Sequence, residues 1–188
     1  MVDSALAVGE SIATTSVDLN KACDHIVRLL EDSSLLLESN SHASATFMAI
    51  SALEEIAKIH IGIYRKSSEP IKRRKDPLYN HKDKHHIAAS PTIAMGARLQ
   101  AAIGEERMHE LIQSARLGQL VDVRESALYV ARRDGVLEIP SNVITKRYAR
   151  ELLLLAVEAF DDAFVGYTNH TFELEVITDR IFLKWENI

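Results

Sequence analysis

Apolar residues at spacings of three and four organise most of this chain. Leu19, Ala22, Ile26, Leu29, Leu30, Ser33, Leu36 and Leu37 fall on one face of a helix predicted over 15–38. Ser39, Asn40 and Ser41 interrupt the pattern. A second helix is predicted to start within 41–44 and run to 66, with Pro70 barring its continuation. So short a break makes the two helices an antiparallel hairpin. A third helix is predicted from His81, restarting at Pro91 with Ser90 as N-cap ahead of Ile93, Met95, Leu99 and Ile103. Gly104 and Gly118 bracket a shorter helix. Ser141 or Asn142 is expected to cap another long one, which carries Ile144, Tyr148, Leu152, Leu155, Ala159 and Ala163, and its run of leucines predicts burial on more than one side. Leu174, Ile177, Ile181 and Trp185 share a face of a last helix, over 171–185.

Only one stretch reads as strand. Apolar residues flank Asp134-Gly135, a two-residue turn signal, and predict a small β-hairpin near 128–139. Composition points the same way: seven glycines and four prolines among 188 residues leave little material for the turns of a sandwich or barrel. The expectation is an all-α antiparallel bundle in one domain, 1–188, with its core over 15–170 and a C-terminal helix or tail over 171–188. The lone cysteine, Cys23, excludes an intramolecular disulfide and a cysteine-rich zinc site. No apolar run is long enough for a membrane span, and the N-terminus lacks a basic region followed by an apolar one. A soluble cytoplasmic protein that does not engage a membrane is expected.

The helical stripe of Phe47, Ile50, Ala57, Ile61 and Tyr64 has a gap at Glu54, with Lys58 one turn later. That pair is expected to point inward, as a packing device or as part of a site. Net charge is −5, yet Arg65, Lys66, Lys72, Arg73, Arg74, Lys75, Lys82 and Lys84 crowd one segment opposed only by Glu69, Asp76 and Asp83. Such a patch on an acidic protein attracts phosphate locally, unless it is a solvated loop. His81, His85 and His86 add imidazoles. His81 and His85 lie one helical turn apart, but no His-Glu-x-x-His arrangement accompanies them, so neither metal nor other cofactor is predicted. An imidazole among cations suits proton transfer on an RNA phosphodiester better.

Taken together, Ala49-Ile-Ser-Ala-Leu-Glu-Glu-Ile-Ala-Lys58, Asn80-His-Lys-Asp-Lys84 and Arg124-Glu-Ser-Ala-Leu-Tyr-Val130, followed by Asp134-Gly135 and Pro140, resemble the AbiV family of bacterial abortive-infection proteins. The likeness runs from about Ala43 to Ala163. AbiV-like proteins are grouped with the HEPN superfamily, helical domains that include many RNases, so the resemblance implies phage defence through growth or translation arrest. Glu54, Glu55 and Lys58 match its Glu-Glu-x-x-Lys element, His81 and Lys84 its His-x-x-Lys element, and Arg124 and Tyr129 its Arg-x-x-x-Leu-Tyr element. HEPN RNases carry an arginine, four to six residues and a histidine at a dimer interface, a spacing met here by Arg74 and His81.

Two functions follow from the likeness. In one, a homodimer cleaves RNA without metal: His81 is the acid/base group, Lys84 or an arginine such as Arg124 stabilises the phosphorane, and Glu54 and Lys58 position them, supported by Glu55 and Tyr129. Arg65, Lys72, Arg73, Arg74, Lys75 and Lys82 would hold the RNA. In the other, the protein is a non-catalytic effector or sensor that binds a phage-encoded protein trigger or a translation component, and the same charges are an internal network.

Overall fold

The computed structural model describes residues 6–7, 13, 15–64, 71–72, 76–90 and 96–187, and helices dominate among them. The first, α1 (Ser16–Glu38), starts at a capping box: Thr15 Oγ1 accepts from the Asp18 backbone N–H while the Asp18 carboxylate accepts from Thr15 N. Asn40 adopts φ of +58°, a left-handed conformation that asparagine tolerates better than most side chains, and turns the chain into α2 (His42–Tyr64). The two pack as the expected antiparallel hairpin, with Ser33 Oγ donating to the Ala45 carbonyl at 2.8 Å.

The middle of the chain consists of short elements. A single 3₁₀ turn (Pro77–Tyr79) is opened by buried Asp76, which accepts from Leu78 N, and leads into α3 (His81–Ala88), where Asn80 accepts from Lys82 N. Then come α4 (Ala97–Ile103), α5 (Glu105–Arg116) and α6 (Leu120–Leu128). The hairpin has strands β3 (Ala131–Arg133) and β4 (Val136–Glu138), as expected. Asp134 and Gly135 both have positive φ, +48° and +82°, the signature of the type I′ turn whose twist matches paired strands. The strands start at Ala131 because α6 runs to Leu128. A second pairing, between β1 (Leu6–Ala7) and β2 (Ile71–Lys72), was not announced by the residue pattern.

The expected start of the long core helix needs correction. Ser141 and Asn142 lie inside a separate short helix, α7 (Pro140–Val143), which Pro140 opens, and Ile144 closes that helix. The core helix α8 (Lys146–Phe164) begins at Thr145, whose hydroxyl accepts from Tyr148 N. Ser90 instead donates to the His86 carbonyl; the predicted restart at Pro91, like Pro70 and the end of the second helix beyond Tyr64, lies outside the described residues.

Every side chain of α8 from Ala149 to Phe160 is buried, so burial extends all round this helix, and it packs against both α1 and α2. The last helix, α9 (Asn169–Trp185), has a Thr168–Thr171 capping box and lies against α1 and α8, with the Trp185 indole donating to Ser34 Oγ at 2.8 Å.

Charges taken inside are paired. Arg150 donates to the carbonyls of Trp185, Glu186 and Ala102, closing the ends of α9 and α4. Arg98 pins α4 to α8 and α9 through Glu158, Asp161 and Asp179, with its guanidinium 4.0 Å from the Phe182 ring centroid. Burial raises the Asp161 carboxyl to about 6, more than Thr178 and Arg98 lower it. Burial also pushes the Cys23 thiol up to about 12, so it behaves as core hydrocarbon. Among the described residues no helix is long and apolar enough to cross a membrane.

Candidate active site

Glu54 is where α2, α3 and α6 meet in charge. As the gap in the apolar stripe predicts, its side chain turns inward and is buried, beside Leu53, Ile56 and Ala57. The partners come from elsewhere in the chain. Asn80 sets the register of α3, and on this eight-residue helix positions 81, 84 and 85 share one face. That face points at Glu54. His85 Nε2 lies 3.0 Å from Glu54 Oε1, His81 Nδ1 is 2.8 Å from the same oxygen, and Lys84 Nζ is 3.5 Å from Oε2. From α6, Arg124 Nε reaches to 3.7 Å of Oε1 while its guanidinium lies 5.1 Å from the Phe47 ring centroid.

The electrostatics follow from this crowd of donors. Burial by itself raises a carboxyl pKa, but the His85 hydrogen bond together with Lys84 and His81 outweighs it, and Glu54 comes down to about 2. At neutral pH Glu54 is therefore an anion and only accepts. Nε2 of fully buried His85 must then carry the proton it donates, and its Nδ1 has no hydrogen-bond partner among the described residues.

His81 differs from His85. Its Nδ1 is buried and lies close to Glu54 Oε1, but off the axis of a good hydrogen bond. The side chain as a whole is 44% exposed. Nε2, unlike Nδ1, is not among the buried atoms without a partner, and this is the nitrogen left open to solvent. A carboxylate behind one imidazole nitrogen, with the other facing water, is the arrangement that orients a histidine for proton transfer.

Four residues singled out from the sequence are thus brought together: Glu54, His81, Lys84 and Arg124. The expected inward pair of Glu54 with Lys58 is not formed. Lys58 lies on the flank of α2, and its ammonium bonds both oxygens of Glu55, at 2.6 and 2.7 Å. Spacing along one helix places Lys58 near Glu54, but Glu55 is equally near on the wetter side. With these side chains 29% and 27% exposed, the pair is half-solvated. Lys58→Ala is therefore expected to lower stability by no more than about 1 kcal/mol, read as a small shift in urea midpoint. A loss of several kcal/mol would put Lys58 back in the buried network.

Other predicted residues stand apart. Tyr129 ends α6 and is largely exposed. Lys84 is buried, directed at Glu54 rather than at solvent. Lys82 is on the exposed side of α3, and its stem runs along the turn at Gly118, where φ is +73° and a Cβ would come within 2.7 Å of Lys82 Cγ. Arg65, Arg73, Arg74 and Lys75 lie outside the described residues, as does the side chain of Lys72. His85 is the member of the cluster that the sequence reading left without a role. Its signal was there: it falls one helical turn after His81, so both face the same neighbour. Glu54, His81 and His85 are metal-ligand types, but Lys84 and Arg124 stand beside them. Among the described residues no group of three or more such side chains is arranged to hold a metal ion.

Comparison with known proteins places the chain in a family. The HEPN-type family model described as AbiV matches residues 19–160, a span that takes in α2, α3, α6 and most of α8. No curated protein matches the chain, and no solved structure does.

Proposed function

The chain belongs to the AbiV family of abortive-infection proteins, which points to antiphage defence, and on that footing we propose that it arrests infected cells as a metal-independent endoribonuclease. The observation that carries the proposal is His81, backed by an ionised Glu54 on one nitrogen and open to solvent at the other. In this reading the ribose 2′-oxygen attacks the adjacent phosphorus and the 5′-oxygen leaves, giving a 2′,3′-cyclic phosphate. His81 Nε2 moves one of the two protons involved. A homodimer would supply the second group from the partner copy. Arg124, at the edge of the cluster, would offset charge that builds on the phosphorane. His85 and Lys84 are positioning residues that hold Glu54 in place.

The burial of Lys84 and His85 favours a second reading, in which the cluster is an internal clamp joining α2, α3 and α6, and the protein acts by binding a phage protein or a translation component. One experiment separates the two. Purified protein incubated with total bacterial RNA in EDTA should yield fragments ending in 2′,3′-cyclic phosphate, and induced expression should arrest growth. Growth arrest without any cleavage selects the binding reading.

A further inference from the structure

We propose that the cleft between the end of α4 and the start of α8 binds a phosphorylated small molecule, with Lys146, Arg147 and Arg150 as its cationic contacts. The cleft is a cavity of about 550 Å³ lined by these three residues with Ala102, Ile103 and Glu151. That volume lies within the usual range of small-ligand sites. It is lined from α4 and α8, and none of its lining residues belongs to the Glu54 cluster, so it does not depend on the proposed nuclease.

The charges in this cleft do not cancel. Glu151 is almost fully buried and takes Arg147 Nε on one oxygen and Arg107 Nε on the other, both at 2.7 Å. Glu110 takes Arg107 Nη1. This leaves Lys146, whose ammonium has no partner among the described residues, and Arg150, which meets only carbonyl oxygens. The Arg150 bonds use Nε and Nη2, so among the described residues Nη1 takes none, although Arg150 as a residue is only 7% exposed. A guanidinium whose free N–H edge opens on a cavity offers that edge to an anion. Arg147 binds Glu151 through Nε alone and keeps its outer nitrogens for a ligand.

Two planar guanidinium edges and one ammonium around a common space fit a tetrahedral anion with several oxygens better than a single carboxylate. A second cavity of about 320 Å³ shares Arg147 and Glu151 with the first and is walled by Arg107 and Tyr148. It offers room for the organic part of the ligand, with the Arg107 guanidinium 5.7 Å from the Tyr148 ring centroid.

Pyrophosphate titrated into the full chain in a calorimeter at physiological salt tests the proposal. The wild type should bind it in the millimolar range or tighter, and Lys146→Glu should weaken binding by at least about tenfold. Lys146 is exposed at the first turn of α8, so the variant should keep the wild-type melting curve. Absence of binding up to about 10 mM, or binding that Lys146→Glu leaves unchanged, overturns the proposal. Citrate bound as tightly as pyrophosphate overturns the phosphate assignment. Single-stranded RNA that loses affinity in the variant, with no pyrophosphate bound by the wild type, also overturns it and gives the cleft to RNA.

Discussion

Glu54→Gln should lower folding stability by about 3 kcal/mol and the melting temperature by roughly 10 °C, although the side chain keeps its shape. The reason lies in what surrounds it. Lys84 and His85 are buried, and His81 and Arg124 press on the same carboxylate. Removing the negative charge leaves these donors facing one another without an acceptor of matching charge. Proton linkage gives a second route to the same magnitude. Glu54 has its pKa depressed from 4.5 to about 2, so its contribution is fully present above the unfolded value and is lost as pH falls towards 2. A difference of that size corresponds to about 3 kcal/mol. Urea unfolding of wild type and variant should therefore differ strongly at pH 7 and converge in acid. Equal midpoints at pH 7 would mean that the carboxylate is solvated and the network contributes nothing.

The sequence made this site legible in part. Capping residues and apolar spacing announce α1, α2, α8 and α9, because each is long and has a wide buried face. Glu54 is announced by the same logic, as a carboxylate where hydrocarbon belongs. Its partners were not legible from spacing, and only the family resemblance grouped His81, Lys84 and Arg124 with it. Lys58 is near in sequence, whereas His81, His85 and Lys84 arrive through the packing of α3 on α2, and no spacing within one helix reports a contact between two. The helix α6 escaped for a local reason: no side chain caps its start, and only Leu120 and Ala127 are buried along it. Yet α6 delivers Arg124 to Glu54. The sequence suggests too early a start for α8 because Pro140 and Ser141 look like a helix opening, and they do open one, but it ends within a turn.

His81→Ala should reduce RNA cleavage by about 10²- to 10⁴-fold and abolish growth arrest while leaving the fold intact. The two effects separate because of where the ring sits. Its Nδ1 is buried, but nearly half of the side chain faces water, so its loss removes one of four neighbours of Glu54 and leaves His85, Lys84 and Arg124 in place. The stability change should stay near or below about 1 kcal/mol. His85→Ala should do the opposite in part: a fully buried ring is lost, stability falls, and any activity falls with it through Glu54. The pH dependence sharpens the assignment. Glu54 is ionised throughout the range above pH 4, so no limb of the pH–rate profile in that range belongs to it. RNA binding at low salt should survive, as expected of a side chain that acts in the transition state rather than in capture. Undiminished cleavage by His81→Ala would remove this histidine from the chemistry and leave the Glu54 cluster as a clamp between helices.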